Sequence, residues 1–320
     1  MSAPSPGLAE SAVGSGGASD TVAAAGRCVW QTSRFALDLA QPRVMGILNL
    51  TPDSFSDGGL YLSPSAALRH AERLLSDGAD VLDLGAESNR PGATPLPLEA
   101  ELQRLLPLLR ELRGWQVPLS IDTYKPEAMQ ACLDEGADII NDVWALRRTA
   151  SSGPVGQPSG PSGPSAEEVL AQHPTCGVCL MHMHLEPQTM QSAPMSGDVL
   201  PQVSDFLRQR ASALQARGVA RARIVLDPGI GFGKTVAQNF ALLARQSELL
   251  ALGYPLLLGW SRKSSLGAVT GCAQAAERVP ASVAAALLAL ERGARIVRVH
   301  DVAPTVQALK VWQAMREQAR

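Results

Sequence analysis

The chain has 320 residues, with 28 basic and 30 acidic side chains, and 46% of its residues are hydrophobic. The net charge of −2 excludes a strong general attraction to nucleic acid or to an anionic membrane surface. No stretch approaches the roughly 20 uncharged apolar residues of a membrane span. Because aromatic residues make up only 4% of this largely apolar chain, we expect a large core of aliphatic side chains.

The segment 1–26 consists mostly of Ala, Gly, Ser and Pro, and it lacks the basic start and apolar centre of a signal peptide. We expect it to be a disordered tail on a cytoplasmic protein. The five cysteines are odd in number and widely spaced, which argues against a disulfide framework and agrees with a reducing compartment. Residues 27–40 predict a short hairpin that could cap the bottom of the domain that follows.

From residue 43 onward one unit repeats: a short apolar run that ends in polar residues, followed by a stretch with leucines at helical spacing. The eight runs are 43–50, 80–86, 118–123, 138–143, 175–183, 223–227, 255–261 and 295–300. Helical candidates include 65–77, 98–113, 125–135, 199–217 and 283–292, with a last helix from about residue 304 to the C terminus. Several of these helices are followed by a Gly of the kind that ends a helix in the left-handed conformation, such as Gly78, Gly136 and Gly293.

Strands that alternate with helices require a mostly parallel sheet, and eight such units favour closure into a (β/α)8 TIM barrel, an α/β fold. We therefore predict a single domain over residues 27–320. An open doubly wound sheet is the alternative, but its G-x-G-x-x-G motif does not follow the first strand. Residues 149–165, rich in Ser, Gly and Pro, predict a flexible surface insertion after the fourth strand.

Polar side chains follow nearly every predicted strand. In a barrel these strand ends meet at one mouth, where catalytic groups stand. Four of them, from four different strands, suit a flat polar heterocycle: Asp122, Asn141, Asp227 and Lys263. Asp122 and Asn141 could instead cap the helices that follow them. Because burying such groups is costly without a ligand or partner, their convergence favours a binding site.

The segment GIGFGKT at 229–235 resembles a phosphate-binding P-loop, but Pro228 stands where that motif requires its first glycine. A nucleoside triphosphate site is therefore disfavoured. We expect its glycines to let the backbone approach a ligand closely, with Phe232 as an apolar wall.

Three residues near the mouth are candidate phosphate contacts, since Arg suits bidentate phosphate geometry: Arg90, Arg298 and His300. Each alone could be a surface salt-bridge residue. A Mg²⁺ ion shared with a diphosphate would need one or two protein oxygens, and Asn49 and Asp57 could supply them. The loops after the first two strands have the composition of lids that close over a substrate.

Two pairs of residues have spacings that also occur in metal sites. His182 and His184 point to the same side if the fifth strand includes both, but few other ligands remain for zinc. Cys176 and Cys179 lie three residues apart in a predicted strand, so they should face opposite sides. Neither pair favours a zinc site.

Taken together, these strings resemble the dihydropteroate synthase family, folate-pathway enzymes that sulfonamide drugs target. The matching strings cover roughly residues 28–320 in the family's order: MGILNLTPDSFSDGG (45–59), ESNRPGATP (87–95), SIDTYKP (120–126), GADIINDV (136–143), LMHM (180–183), DPGIGFGK (227–234), GWSRKS (259–264) and RVHDV (298–302). Eight concordant motifs are far more specific than any single one.

The resemblance implies a transferase that joins 6-hydroxymethyl-7,8-dihydropterin diphosphate to 4-aminobenzoate, releasing diphosphate and 7,8-dihydropteroate. It implies a pterin site at Asp122, Asn141, Asp227 and Lys263, and a diphosphate site at Asn89, Arg90, Arg298 and His300. It implies Mg²⁺ at Asn49 and Asp57, and an aminobenzoate site at Phe55, Pro91, Phe232, Lys263 and Ser264. The family also forms homodimers, so we expect one here.

The chain departs from the family pattern at two places. Asn89 stands where Thr is usual, so we expect weakened activity, and kinetics of Asn89→Thr with no gain in kcat/KM would contradict this. His184-Leu185 replaces the usual residue-Gly pair after LMHM. No extra residues follow SRKS, so we expect sensitivity to sulfonamides.

Two other functions are compatible with a pterin site. A pterin-dependent corrinoid methyltransferase would share the strand-end residues but would not need the diphosphate contacts. A non-catalytic pterin-binding paralogue is suggested only by Asn89. Release of diphosphate would distinguish the synthase from the methyltransferase. Rescue of a strain that lacks its own synthase would distinguish it from the non-catalytic paralogue.

Overall fold

A computed structural model describes residues 28–50, 64–88, 92–149 and 163–318. Three predicted features lie wholly or largely outside these residues: the tail, the two lids and the insertion. The described strands are β1 (Val29–Gln31), β2 (Ala36–Asp38), β3 (Arg43–Asn49), β4 (Val81–Gly85), β5 (Leu119–Asp122), β6 (Ile139–Asp142), β7 (Gly177–Met181), β8 (Ile224–Asp227), β9 (Leu257–Leu258) and β10 (Ile296–Val299). The described α-helices are α1 (Pro64–Ser76), α2 (Leu98–Leu112), α3 (Pro126–Asp134), α4 (Ala166–Gln172), α5 (Val199–Ala216), α6 (Val236–Ala244), α7 (Ser264–Thr270), α8 (Val279–Glu291) and α9 (Val302–Gln318).

Strands β3 to β10 form one parallel eight-stranded sheet. Its order is β8-β7-β6-β5-β4-β3-β10-β9, and a parallel bridge between Leu226 and Leu256 joins its two ends. At this seam the Leu226 amide donates to the Pro255 carbonyl at 3.0 Å. The sheet therefore closes into a barrel surrounded by helices, which confirms the predicted (β/α)8 fold.

The barrel interior changes from apolar to polar along its axis. Because successive strand residues alternate between the two faces, one face of each strand packs on the helices and the other lines the interior. The lower interior layer is apolar: Met45, Val81, Ile139, Cys179, Val225, Leu257 and Ile296. Two residues further along their strands, the same face carries polar side chains: Asp83, Asn141, Asp227 and Arg298. The alternation of side chains along each strand therefore places the charged residues at the C-terminal mouth of the barrel.

The predicted hairpin at 27–40 is present and closes the bottom of the barrel. Strands β1 and β2 pair antiparallel, and Trp30 on β1 is fully buried in the same cluster as the lower interior layer. Its indole N–H donates to the Arg223 carbonyl at 3.0 Å. Arg34 follows β1 and pairs with the buried Asp138 at 2.6 Å. The hairpin thus fills the end of the barrel opposite the polar layer.

The predicted glycine stops are also confirmed. Gly78, Gly136 and Gly293 follow α1, α3 and α8 with φ of 101°, 99° and 94°. These are left-handed values that L side chains rarely adopt, so the residue type decides where each helix ends.

Several predicted boundaries were wrong. The seventh barrel strand is β9, only two residues long, and α8 and α9 begin at Val279 and Val302, ahead of their predicted starts. Strand β7 ends at Met181, so His182 and His184 lie beyond the strand and the predicted strand geometry does not apply to them. Cys176 and Cys179 are both buried and belong to the outer and inner clusters, as predicted.

The described ends of the predicted insertion are ordered. Thr149 and Ser165 form an antiparallel bridge. Ser165 also caps α4 in a capping box with Glu168, so it belongs to the helix and its assignment to a flexible insertion was wrong. Among the described helices, none is long and apolar enough to cross a membrane.

Candidate active site

A cavity of about 870 Å³ opens at the C-terminal mouth of the barrel. Its walls include all of the predicted site residues that the structure describes, together with apolar side chains: Ile47, Asn49, Asp122, Asn141, Val143, Met181, Met190, Asp227, Ile230, Phe232, Lys263, Ser264, Arg298 and His300. Glu87 and Ser88 after β4 line it as well, so residues of all eight barrel strands or of the loops that follow them meet at one concave surface of the size that holds a small ligand.

A fully buried carboxylate, Asp83 on β4, organises the floor of this cavity. It accepts hydrogen bonds from the Arg298 Nε at 2.6 Å and from the Ser120 hydroxyl at 2.6 Å. The Asn141 amide nitrogen lies 3.4 and 3.3 Å from the two oxygens of the same carboxylate. Because the amide nitrogen of Asn141 faces Asp83, its amide oxygen is turned away from that carboxylate.

Arg298 also pairs with Asp122. One terminal nitrogen of its guanidinium lies 2.7 Å from Asp122 Oδ2. Burial lowers the pKa of Arg298, but Asp83 and Asp122 more than reverse this, so the side chain stays charged. Arg298 therefore cross-links two aspartates from neighbouring strands while it also lines the cavity.

Asn49 lies beside Asp122 at the same level. A Cβ built on the intervening Gly85 would be 3.7 Å from both Asn49 Oδ1 and Asp122 Oδ2. An amide oxygen and a carboxylate oxygen thus flank one small backbone position at the end of β4. Within the described residues, no group of three or more His, Cys, Asp or Glu side chains could hold a metal.

Asp227 ends β8 and is almost completely buried. Its Oδ1 accepts the Gly229 amide at 2.7 Å. Burial raises the pKa of Asp227 to about 6, although the Gly229 amide and nearby Lys263 and Lys234 oppose the rise. The carboxylate therefore titrates close to neutral pH and is sensitive to a ligand that donates hydrogen bonds.

Lys263 reaches the cavity from the loop after β9. Burial lowers its pKa to about 8, with Arg298 adding to the effect. Its ammonium lies 4.3 Å from the centre of the Phe232 ring, a cation–π contact. Lys263 is also the residue that precedes α7, so Ser264 is the first residue of that helix.

The glycines of the GIGFGK segment do not serve the predicted purpose at two of three positions. A Cβ on Gly229 would lie 1.8 Å from the His182 carbonyl oxygen, and one on Gly233 would lie 2.7 Å from the His184 carbonyl oxygen. The close approach is therefore to the chain after β7 and not to a ligand. At Gly231 the nearest neighbour is Lys263 at 3.3 Å, so this glycine alone faces the cavity.

His300 and Asp301 follow β10 and tie it to the loop after β9. The Ser261 hydroxyl lies 3.0 Å from His300 Nδ1. Asp301 holds the Arg262 guanidinium through two bonds of 2.9 and 2.6 Å. Ser261 and His300 both line the cavity, so these contacts fix the wall that Lys263 and Ser264 extend.

A second charged network supports the start of the loop after β4. Lys125 bridges Glu87 and Glu101, at 2.5 Å from the latter, and the Tyr124 hydroxyl donates to Glu87 at 2.8 Å. Burial raises the pKa of Glu101, and the adjacent Lys125 opposes the rise. Glu87 lines the cavity, so this network anchors the chain immediately before residues 89–91.

The structure brings together the predicted residues that it describes: Asn49, Asp122, Asn141, Asp227, Phe232, Lys263, Ser264, Arg298 and His300. The predicted residues Phe55, Asp57, Asn89, Arg90 and Pro91 lie outside the described residues. Two buried residues were missed, Asp83 and Lys234. Asp83 could have been recognised as a carboxylate inside the apolar run VLDLG. Lys234 could have been recognised as the lysine of the segment that resembles a P-loop.

Comparison with known proteins identifies the family. The pterin binding enzyme family model matches residues 45–300. A dihydropteroate synthase from Neisseria meningitidis serogroup B is 49% identical over 90% of this chain and 98% of its own length. Two crystal structures of dihydropteroate synthases are also similar. That from Burkholderia cenocepacia, complexed with 7,8-dihydropteroate, has a TM-score of 0.79 at 50% identity and covers 91% of this chain and 98% of its own. The structure from Yersinia pestis, with a sulfonamide drug complex, has a TM-score of 0.81 at 40% identity. It covers 90% of this chain and 99% of its own.

Proposed function

The chain belongs to the pterin-binding enzyme family, and we propose that its cavity carries out the dihydropteroate synthase reaction with the residues described above. The enzyme is a transferase of folate biosynthesis. It condenses 6-hydroxymethyl-7,8-dihydropterin diphosphate with 4-aminobenzoate to 7,8-dihydropteroate and releases diphosphate. Its substrates are small molecules, which agrees with the cavity of about 870 Å³ at the barrel mouth.

One observation supports the pterin site above all: Asp122, Asn141 and Asp227 converge with Lys263 on a floor organised by the buried Asp83. A pterin ring carries N–H donors and carbonyl and ring-nitrogen acceptors around a flat edge. Carboxylates suit the donors, and the Lys263 ammonium suits an acceptor. We assign these four residues to the pterin.

Departure of the diphosphate is the step that needs charge stabilisation. The methylene C–O bond breaks, both electrons leave with the diphosphate, and Asp122 stabilises the positive charge on the pterin methylene. We assign the leaving group to Arg298 and His300, together with Asn89 and Arg90. Since Arg298 is already held by two aspartates, its position costs no reorganisation when the substrate binds.

A magnesium ion is part of this proposal. Asn49 offers an amide oxygen at the mouth beside Asp122, and Mg²⁺ commonly takes one or two protein oxygens plus phosphate. Asn49 and Asp57 would hold the ion. When bound, it would neutralise charge on the departing diphosphate.

The aminobenzoate binds last in this scheme, on the outer side of the pterin. Its amine lone pair forms the C–N bond with the methylene, and the nitrogen then loses a proton. We assign its ring to Phe232 and Lys263, its carboxylate to Ser264 at the start of α7, and the closing side to Phe55 and Pro91. Orientation supplies most of the acceleration, because an aniline needs no strong base to attack a cation.

We propose three further features of this protein. Sulfonamides, which resemble aminobenzoate, should inhibit competitively at this site. We also propose a homodimer and a cytoplasmic location. All five cysteines are free, as expected in a reducing compartment. Sedimentation at several protein concentrations tests the dimer.

The deciding experiment is a coupled assay that detects diphosphate with the pterin diphosphate, 4-aminobenzoate and Mg²⁺ present. We expect diphosphate release that requires both organic substrates and 7,8-dihydropteroate as the product. Omission of Mg²⁺ should lower the rate, and a sulfonamide should raise the apparent KM for 4-aminobenzoate. Pterin binding without diphosphate release would overturn the proposal.

A further inference from the structure

The ammonium group of Lys234 is buried beside the cavity but does not line it. The side chain, at the end of the GIGFGK segment, is only 2% exposed. Its Nζ lies 2.9 Å from the Gly229 carbonyl oxygen, 3.2 Å from the Phe232 carbonyl oxygen and 2.9 Å from His182 Nδ1. A lysine has three N–H donors, so each one has an acceptor inside the protein.

These three acceptors join two separate elements. Gly229 and Phe232 mark the two ends of the segment whose residues line the cavity, and His182 follows β7. Burial, together with the neighbouring Lys234 and Arg147, lowers the pKa of His182 to about 2, so the ring is neutral and can accept at Nδ1. Burial lowers the pKa of Lys234 itself to about 7, although nearby Asp227 opposes this. The three contacts of its amine nitrogen therefore tie both ends of the segment to the exit of the neighbouring strand.

A backbone turn within the segment, in which the Phe232 amide donates to the Gly229 carbonyl at 3.2 Å, holds only part of its shape. Gly229, Gly231 and Gly233 have φ of 70°, 83° and 70°, which glycine permits but does not enforce. The Asn239 side chain supplies a second tie, since its Oδ1 accepts the Gly231 amide at 2.8 Å. Asn239 also donates to the Ser265 hydroxyl at 2.9 Å, which connects the segment to α7.

We infer that Lys234 is a positioning residue that sets the place of Phe232 for the aminobenzoate ring. This inference rests on the proposed function, because it assigns Phe232 to that substrate. Lys234 touches no substrate and acts through the Phe232 carbonyl. The Phe232 ring lies 4.3 Å from the Lys263 ammonium, but Lys263 precedes α7 and is not held by Lys234, so a shift of the segment would move the ring and leave Lys263 in place.

The variant Lys234→Met keeps the length of the side chain and removes its donors. We expect the KM for 4-aminobenzoate to rise about 10-fold, with a change of less than about 2-fold in the KM for the pterin diphosphate and in kcat. The matched control is Lys310→Met, an exposed lysine on α9, which should leave all three constants unchanged. An unchanged KM for 4-aminobenzoate, or an equal rise in the KM values for both substrates, would overturn the inference.

A double-mutant cycle separates positioning from a general structural role. If Lys234 acts through Phe232, the Lys234→Met change should raise the KM for 4-aminobenzoate much less in a Phe232→Ala background. Additive effects would overturn the inference, as would a lower melting temperature with unchanged KM values. Lys234→Gln, which retains two donors, serves the same cycle if the Met variant does not fold. An inactive unmodified chain would instead count against the proposed function itself.

Discussion

Arg298 shows how a single side chain can be placed by charges far away in the sequence. Its partners Asp83 and Asp122 lie 215 and 176 residues earlier in the chain. Asp83 is fully buried, so removing the guanidinium would leave an uncompensated charge in the barrel floor. The same three side chains therefore stabilise the fold and prepare the site for a charged substrate.

The buried titratable groups predict a bell-shaped pH profile for kcat/KM with the pterin diphosphate. Asp227 gains a proton as the pH falls through about 6 and then cannot accept two hydrogen bonds from the pterin. Lys263 loses its proton as the pH rises through about 8. Initial rates at low substrate concentration report these free-enzyme groups.

Lys263→Arg is the control for the alkaline limb. Arginine stays protonated, so the limb should move to higher pH even if the overall activity falls. An acid limb near the ordinary aspartate value of about 4 would show that Asp227 is not the titrating group.

Leu185 has a left-handed backbone conformation that suits glycine. Its φ is 59° and its side chain is 44% exposed, so it has the strain of the left-handed region without burial to offset it. Leu185→Gly should raise the free energy of unfolding by about 0.5–1 kcal/mol, after allowance for the greater freedom of glycine in the unfolded chain. Denaturant unfolding measures this.

Leu185→Ala is the matched control for that prediction. It removes the exposed apolar side chain but retains the Cβ that causes the strain. A glycine variant no more stable than the alanine variant would show that the left-handed backbone at residue 185 carries no cost.

At the scale of elements, the hairpin of β1 and β2 and the loops at the mouth have different tasks. Asp138 at the bottom accepts the Leu119 amide at 2.9 Å and the Arg34 guanidinium through both of its oxygens. Its carboxylate therefore holds the hairpin to the start of two barrel strands. The mouth lies at the other ends of these strands, so stability and catalysis are supported by separate parts of the same elements.

Arg34→Met should destabilise the protein without changing the reaction. Asp138 is fully buried and Arg34 is 32% exposed, so we expect a loss of about 2 kcal/mol, less than for a completely buried pair. Both KM values should stay the same because the hairpin does not reach the cavity. Denaturant unfolding and initial rates measure the two effects.

Arg208→Met provides the comparison, since both side chains of the Arg208–Asp205 pair are about 60% exposed. It should cost no more than about 0.5 kcal/mol. Equal losses in the two variants would contradict a special role for the hairpin contact.

For the whole molecule, Thr149 and Ser165, the first and last residues of the predicted insertion, form an antiparallel bridge. We expect that replacing residues 151–162 with a Gly-Gly turn leaves kcat/KM unchanged and shifts the melting temperature by no more than about 2 °C, because loop length affects closure entropy only weakly. Thermal unfolding and the synthase assay measure both. A large loss of activity would show that the segment takes part in the reaction.

The part of the candidate site that could be predicted consists of residues at strand ends, because the alternation of side chains along a strand decides which of them face the barrel mouth. Asp122, Asn141 and Asp227 follow apolar runs, and the alternation of faces places their side chains in the barrel mouth. Asp83 escaped prediction because a carboxylate inside a run such as VLDLG has no local mark that it faces the interior. The GIGFGK glycines were misassigned because their close neighbours, His182 and His184, come from another part of the chain.

The sequence by itself therefore determined the eight repeated units, the helix stops and the residues at the strand ends, since these depend on local periodicity and on glycine's freedom in φ. Only the tertiary structure decided which charges meet: Arg298 between two aspartates, Lys234 among three acceptors, and Lys263 above Phe232. The physical reason is distance along the chain. Burial and electrostatic pairing join residues that closure of the barrel brings together, and no local pattern encodes those contacts.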